Sequence, residues 1–329
     1  MIDSVDVTNV TDVTDVTDVV DVADVVDVTD VADVAKINDK TDVTNTGDIT
    51  DVINPYLPQK AEIIKVIQET FSEELDVKTF RMKLLDKGVL EFKPGQFIEL
   101  SVPGAGECPI GFASSPLEKD FFEITVKRTG RVTDAIHSLQ VGDYAWVRGP
   151  FGNSFPLELT QSSNLLFVAG GLGLAPLRPF ILYALNERNR GNYGEISMLL
   201  AARTGKDHIY AYEYKEWRKT PGTRVDLTID RQETGWSGMV GFPHVLLRDM
   251  RFDFSNMYAI LCGPPIMIKS VQSTLVELGM PVDRLYTTLE MRMTCGVGKC
   301  GRCNIGKNYV CIDGPVFSLA KIENMPSEY

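Results

Sequence analysis

The chain has 329 residues, 44% of them hydrophobic, which is the composition of a soluble globular protein too long for one ordinary core; two or three domains are expected. Its formal charge of −12 is confined to residues 1–51, which hold fourteen Asp, no Glu and two Lys, so the remainder is neutral. The acidic balance therefore gives the folded part no preference for nucleic acid, a membrane or an acidic substrate, and no run has the length of a membrane span or the pattern of an export signal.

A cytoplasmic protein is the default on these grounds, and a reducing cytosol suits free cysteines such as Cys108 and Cys262. From Asp12 to Asp33 an Asp falls at every third position. That period matches neither helix nor strand, and the like charges repel, so residues 1–55 are expected to be disordered. Calcium binding by the carboxylates lacks the glycine turn of a known loop; an interaction tail is the other alternative.

Beyond Pro55 and Pro58, short β-like runs follow one another at Ala61–Glu69, Val77–Leu84, Gln96–Val102, Phe121–Lys127 and Tyr144–Arg148. Turn signals between them predict a small antiparallel β-barrel. One helix over Asp134–Leu139, with Thr133 as N-cap, interrupts it.

The pattern changes after Pro156. An apolar strand, Asn164–Ala169, runs into Gly170-Gly171-Leu172-Gly173-Leu174-Ala175-Pro176 and a helix reaching Arg188. Strands at Glu195–Ala202, Arg224–Ile229, Met257–Cys262 and Arg284–Thr288 then alternate with helices at Ala211–Lys219, Pro243–Asp249 and Pro265–Leu278. This alternation predicts a doubly wound parallel sheet with its ligand at the carboxyl ends of the strands.

Gly170, Gly171 and Gly173, followed by Ala175 and Pro176, let backbone approach a pyrophosphate at a helix N-terminus. Glycine also makes plain tight turns, and the sequence is not G-x-G-x-x-G. Strand two ends in Ala201-Ala202-Arg203 without an acid for a ribose hydroxyl; Arg203 faces a 2′-phosphate or is an ordinary solvated arginine, so NAD and NADP both remain candidates. Cys262-Gly263-Pro264-Pro265 again puts small residues and a helix start where a planar ring can lie, and a buried structural Cys is the alternative there.

Met291 to Cys311 holds Cys295, Cys300, Cys303 and Cys311 in a C-x4-C-x2-C-x7-C run. This is the plant-type spacing for a [2Fe–2S] cluster, with Gly296, Gly298 and Gly301 supplying the turns. A disulfide framework does not suit a long chain with few cysteines and no export signal. Structural zinc is the stronger rival, although it usually takes two separated cysteine pairs. His137, His208 and His244 do not cluster in sequence and are expected to be structural.

The barrel, Gly170–Pro176, Cys262–Pro265 with Met267, and the cysteine run closed by Val310–Phe317 together resemble the flavin-dependent ferredoxin reductase superfamily. The branch they resemble holds the gamma subunit of cytoplasmic hydrogenase (sulfhydrogenase), the B subunit of anaerobic sulfite reductase and the dihydroorotate dehydrogenase electron-transfer subunit. The resemblance covers Pro58 to Phe317 and implies FAD in the barrel, held by an R-x-[YF]-S motif. The matching positions are Cys108, Pro109, Ile110 and Gly111, with Cys108 where the family has arginine and Gly111 where it has serine. That departure resembles the hydrogenase and sulfite reductase members more than the dihydroorotate members. A second flavin segment is implied at Thr125, Val126, Lys127, Gly130, Val132 and Thr133, where Lys127, Arg128 and Arg131 could replace the missing arginine in charge.

The expected organisation is a disordered repeat at 1–55, an FAD-binding barrel at 56–157, an NAD(P)-binding α/β domain at 158–288 and a [2Fe–2S] module at 289–329. NAD(P)H is expected to dock on Gly170–Pro176 and Cys262–Pro264, with Cys262 as the residue at the reacting ring. FAD converts a hydride into single electrons for the cluster, which feeds the iron–sulfur and catalytic subunits of a hydrogenase-like or sulfur/sulfite reductase complex. The dihydroorotate dehydrogenase electron-transfer subunit is the alternative within redox chemistry. A non-catalytic, zinc-stabilised binding protein is the alternative outside it.

Overall fold

The computed structural model describes residues 54–85 and 90–326, within a compact unit that begins at Asn54. The Asp repeat lies outside these residues, and with it the expectations of disorder, calcium binding or an interaction tail.

Six strands make the first sheet: β1 (Gln59–Gln68), β2 (Val77–Leu84), β3 (Phe97–Val102), β4 (Gly106–Gly111), β5 (Phe122–Lys127) and β6 (Tyr144–Phe151). They pair antiparallel in the order β4-β3-β6-β1-β2-β5, and a bridge between Phe112 and Ile124 joins the two edges into a barrel. Alternation along the strands turns Phe80, Met82, Ile98, Leu100, Ile124 and Val147 into one core, each such side chain contributing about 1.5–3 kcal/mol of burial.

The helix α1 (Arg131–Ser138) starts earlier than expected, with Gly130 as N-cap. Thr133 is not the cap. It stands one turn in, and its hydroxyl reaches back to accept from the amides of Thr129 at 2.8 Å and Gly130 at 2.9 Å.

In the second sheet β7 (Asn164–Gly170), β8 (Ile196–Ala202), β9 (Thr223–Ile229), β10 (Met239–Val240), β11 (Met257–Cys262) and β12 (Leu285–Thr288) are parallel. Between them run α2 (Leu174–Leu185), α3 (Tyr214–Lys219), α4 (Pro243–Asp249) and α5 (Pro265–Glu277). The order β10-β9-β8-β7-β11-β12 reverses direction at β7, so the carboxyl ends of β7 and β11 flank the crevice of a doubly wound sheet. The helix expected from Ala211 begins only at Tyr214, because Tyr210 adopts φ 59° and its amide is held by Glu69 at 2.8 Å.

The C-terminal segment adds a ribbon, β13 (Asn304–Ile305) and β14 (Asn308–Tyr309), then α6 (Val310–Asp313), β15 (Val316–Ser318) and α7 (Leu319–Ile322). It does more than hang from the last parallel strand. β15 pairs antiparallel with β12, and Met293, Ile305, Val310 and Phe317 share a core with Phe97 and Phe151 of the barrel.

A buried ionic network ties barrel to α/β sheet. Arg178 on α2 donates to Glu123 on β5 at 2.8 Å and grips both oxygens of Glu213, while its guanidinium lies 4.4 Å from the Tyr210 ring centre. Removing one member of such a network strands the others in low dielectric. Arg178→Met is therefore expected to cost about 3–5 kcal/mol of stability in a urea titration, far more than a substitution at an exposed cation.

Candidate cofactor and metal sites

The crevice at the switch point is built by close backbone contact. A Cβ on Gly173 would run into the Cys262 carbonyl and stand 2.6 Å from the Gly263 amide, while one on Gly263 would stand 3.0 Å from the Gly170 amide. Only glycine lets the ends of β7 and β11 meet this way. Ala175 is buried in the first turn of α2, and the Cβ of Pro176 lies 3.7 Å from where one on Gly111 would sit. The nucleotide turn and the flavin strand β4 thus converge.

Cys262 lies at the end of β11, 4% exposed. Its thiol faces the Thr288 hydroxyl at 3.1 Å, and burial pushes it up to about 12. Buried in this way, the thiol is held in its protonated form beside the Thr288 hydroxyl. Gly263 and Pro264 continue from it to the N-terminus of α5. Arg203 follows the end of β8, with a side chain 76% exposed and Glu74 at 3.6 Å.

β4 has an incompletely covered surface. Cys108, Pro109, Ile110 and Gly111 are all only partly buried, and Ile110, Cys108, Val102 and Val132 form an apolar shelf on the barrel core. That shelf, beside the free first-turn amides of α1, fits a planar ring joined to a phosphate chain. Burial, with Glu99 and Glu107, pushes the Cys108 thiol up to about 12, so it supplies no charge to a phosphate.

The replacement cations differ. Arg128 is engaged by Asp134 at 2.8 Å, and Lys127 is exposed. Arg131 donates to the Gly104 carbonyl at 2.6 Å, at the turn leading into β4. Thr125 and Val126 turn away from the shelf. The Thr125 hydroxyl bonds Thr79 at 2.8 Å and also Tyr210, and Val126 is in the barrel core. Gly130 and Thr133 frame the start of α1.

The four cysteines of the C-terminal run are free thiols, three in the loop before β13 and Cys311 in α6. Cys303 and Cys311 stand 3.3 Å apart. Cys295 accepts from the amides of Lys299 at 3.3 Å and Cys300 at 3.4 Å, and Cys311 from that of Gly298 at 3.2 Å. The Arg302 amide and the Thr294 hydroxyl draw the exposed Cys300 thiol down to about 6. Among the described residues no three side chains converge as ligands of a single ion. Two thiol pairs under amide donors fit the two irons of a [2Fe–2S] cluster better than one zinc.

The oxidoreductase FAD-binding domain family matches residues 65–155, the oxidoreductase NAD-binding domain family residues 167–273, and the iron-sulfur cluster binding domain of dihydroorotate dehydrogenase B residues 290–323. Sulfhydrogenase 1 subunit gamma of Pyrococcus furiosus is 40% identical over 281 residues, which are 83% of this chain and 94% of its own. The chain belongs to that flavin-dependent reductase family.

Family membership also covers the probable dihydroorotate dehydrogenase B electron transfer subunit of Thermococcus kodakarensis, 34% identical over 79% of this chain and 97% of its own. A solved NADH-dependent reduced ferredoxin-NADP oxidoreductase superposes with a TM-score of 0.63 at 27% identity, over 81% of this chain and 90% of that one. This reductase is therefore an electron-transfer oxidoreductase of NAD(P)H, FAD and an iron–sulfur cluster. The zinc-stabilised binding protein is set aside.

The histidines are structural. His137 Nε2 meets the Val126 carbonyl at 2.9 Å, His208 stacks on Trp236 at 5.3 Å and His244 on Phe242 at 6.0 Å. Sequence reasoning gave no role to Glu99, Glu107 and Arg148, three ionisable side chains on one face of β3, β4 and β6. The signal was available as an arginine closing the otherwise uncharged run Tyr144-Ala145-Trp146-Val147.

Proposed function

We propose that this reductase is the NAD(P)H-linked subunit of a hydrogenase-like or sulfur/sulfite reductase complex in the cytoplasm, passing electrons to iron–sulfur and catalytic partner subunits. Its working parts are taken as the barrel at 56–157, the nucleotide domain at 158–288 and the cluster module at 289–329. The observation that carries the reading is the surface around the cluster loop. Cys300 is exposed, Arg292, Lys299, Arg302 and Lys307 are exposed around it, and no acidic residue occurs from Met291 to Ile312. In a body whose formal charge is −4 outside it, this local cationic rim, with Met291 and Ile312 as exposed apolar neighbours, suits an acidic partner face.

The curated gamma-subunit relatives support the hydrogenase branch, as do Cys108 and Gly111 in place of the family arginine and serine. The dihydroorotate dehydrogenase subunits are the second reading, supported by relatives at 34% identity. No helix of the described residues is long and apolar enough to cross a membrane.

Bound FAD would supply the exchange between hydride and single-electron chemistry. The chain's residues hold and shield. Gly170, Gly171, Gly173, Ala175 and Pro176 would receive the nucleotide phosphates, Gly263 and Pro264 the nicotinamide end, and buried Cys262 would floor that pocket without exchanging a proton. The shelf of Cys108, Pro109 and Ile110 would carry the flavin, with the amides of Val132 and Thr133, just past the Gly130 turn, at its phosphates.

Arg131 takes the place of the missing motif arginine in this reading. A charge-assisted contact is worth about 1.5–3 kcal/mol, so Arg131→Gln is expected to loosen FAD roughly 10–100-fold in a flavin-release titration while iron content stays unchanged. Affinity purification of the tagged chain from its native source, with mass spectrometry, tests the partner. A hydrogenase or sulfite-reducing subunit supports the reading; a dihydroorotate-oxidising subunit replaces it with the second.

A further inference from the structure

Arg148 takes part in none of the sites described above, yet its guanidinium is fully engaged. It stands near the end of β6 with a side chain 10% exposed. Nε donates to Glu107 Oε2 at 3.1 Å and Nη2 to the other oxygen of that carboxylate. Nη1 donates to two backbone carbonyls, that of Pro55 at 3.0 Å and that of Cys295 at 3.2 Å. Glu107 belongs to β4 and immediately precedes Cys108. One side chain thus joins the flavin strand to the backbone of the first cluster cysteine.

The neighbouring residue of β6 that touches the same loop is Phe151. Its ring lies 5.5 Å from the Arg148 guanidinium. Gly296, at φ +74°, is pressed against that ring so closely that a Cβ would stand 2.6 Å from Cδ2. Cys295 and Gly296 are therefore seated on two side chains of a barrel strand, while Cys303 and Cys311 are fixed by the shared core around Phe317.

A third ionisable group lies beside the pair. Glu99 on β3 is the register partner of Arg148, is 1% exposed, and has no hydrogen-bond partner on either oxygen. Burial, with Glu107 nearby, pushes its pKa up to about 8, against the pull of Arg148. As a neutral acid it leaves the guanidinium committed to Glu107 and the two carbonyls.

We propose that Arg148 is a positioning residue for electron transfer, setting the place of the Cys295 end of the cluster relative to the flavin strand through its paired contacts to Glu107 and the Cys295 carbonyl. The proposal rests on reading the chain as a flavin-to-cluster path. Partners that orient metal ligands from outside the ligand set are worth tenfold or more to a site, and a bidentate guanidinium gives a direction that a single ammonium does not.

Arg148→Lys is the test, because lysine keeps the charge but cannot span both carbonyls while holding both Glu107 oxygens. Anaerobic stopped-flow with NAD(P)H would follow flavin bleaching and arrival of the electron at the cluster, and electron paramagnetic resonance of the dithionite-reduced protein would report the cluster environment. The expected result is unchanged iron content and flavin bleaching, electron arrival slowed roughly 10–100-fold, and an altered resonance line shape.

The double variant Glu107→Leu with Arg148→Leu removes the pair without leaving a lone buried charge, and should reproduce both changes. Wild-type rates and line shape in both variants would overturn the proposal. A wild-type protein whose flavin NAD(P)H does not bleach would instead defeat the electron-path reading on which it rests.

Discussion

Cys300→Ser is expected to separate the two halves of the electron path. The variant should retain FAD, and NAD(P)H should bleach it at the wild-type rate. Cluster absorbance should fall sharply, and delivery to a one-electron acceptor should drop by at least the roughly 10–100-fold typical of weaker perturbations around a metal site. The reason is local. Cys300 is the exposed cysteine of the run, and the Arg302 amide with the Thr294 hydroxyl already favours its thiolate at about 6. A serine hydroxyl at the same place offers a hard oxygen where the cluster takes soft sulfur. Nothing in the crevice of Gly170–Gly173 and Cys262–Pro264 depends on Cys300, so loss of flavin bleaching in this variant would place the cluster before the flavin.

The complementary variant acts at the other end. Gly173→Val is expected to abolish flavin bleaching by NAD(P)H while leaving FAD and iron bound. The added side chain meets the Cys262 carbonyl and the Gly263 amide, which are backbone atoms of a buried strand end and cannot swing aside. Relief requires β7 and β11 to part at their carboxyl ends, at the upper end of the about 1–3 kcal/mol cost of overpacking, and parting them destroys the surface that receives the nucleotide. Equilibrium unfolding and a reductive stopped-flow trace, measured on the same preparation, check both consequences. Bleaching at the wild-type rate would show that the glycine turn does not receive the nucleotide.

The elements legible in the sequence are those whose patterns are set by burial on a regular period. β7, β8 and β11 are continuous apolar runs because both faces of a parallel sheet are covered, and the barrel strands β1, β2 and β5 carry the alternation of a one-sided core. β4 is not legible as a strand, because Gly106-Glu107-Cys108-Pro109-Ile110-Gly111 alternates in nothing. Its residues are chosen for a half-covered surface, and its pairing is decided by β3.

The start of α1 differs from the expected one for a related reason. Thr133 has the side chain of an N-cap, but a hydroxyl at the third helical position can satisfy the same amides from inside. The spacing of the four cysteines predicts one metal site. What spacing cannot give is the arrangement that seats the site: the Phe97–Phe151 edge of the barrel, β15 on β12, and Arg148 across Glu107 and Cys295 are contacts between residues from about 30 to 220 positions apart. The Arg178 network with Glu123, Glu213 and Tyr210 is likewise a property of two domains meeting, not of any one stretch.

Electrons are proposed to pass from NAD(P)H through a flavin on β4 to a cluster held by Cys295, Cys300, Cys303 and Cys311. The most direct measurement is an anaerobic reduction of the purified holoprotein by NAD(P)H, followed at once by flavin absorbance and by freeze-quench electron paramagnetic resonance. The expected result is loss of the flavin band first, then a signal from a reduced two-iron cluster. A colourless protein containing zinc, or a cluster signal that rises before the flavin band falls, would contradict it.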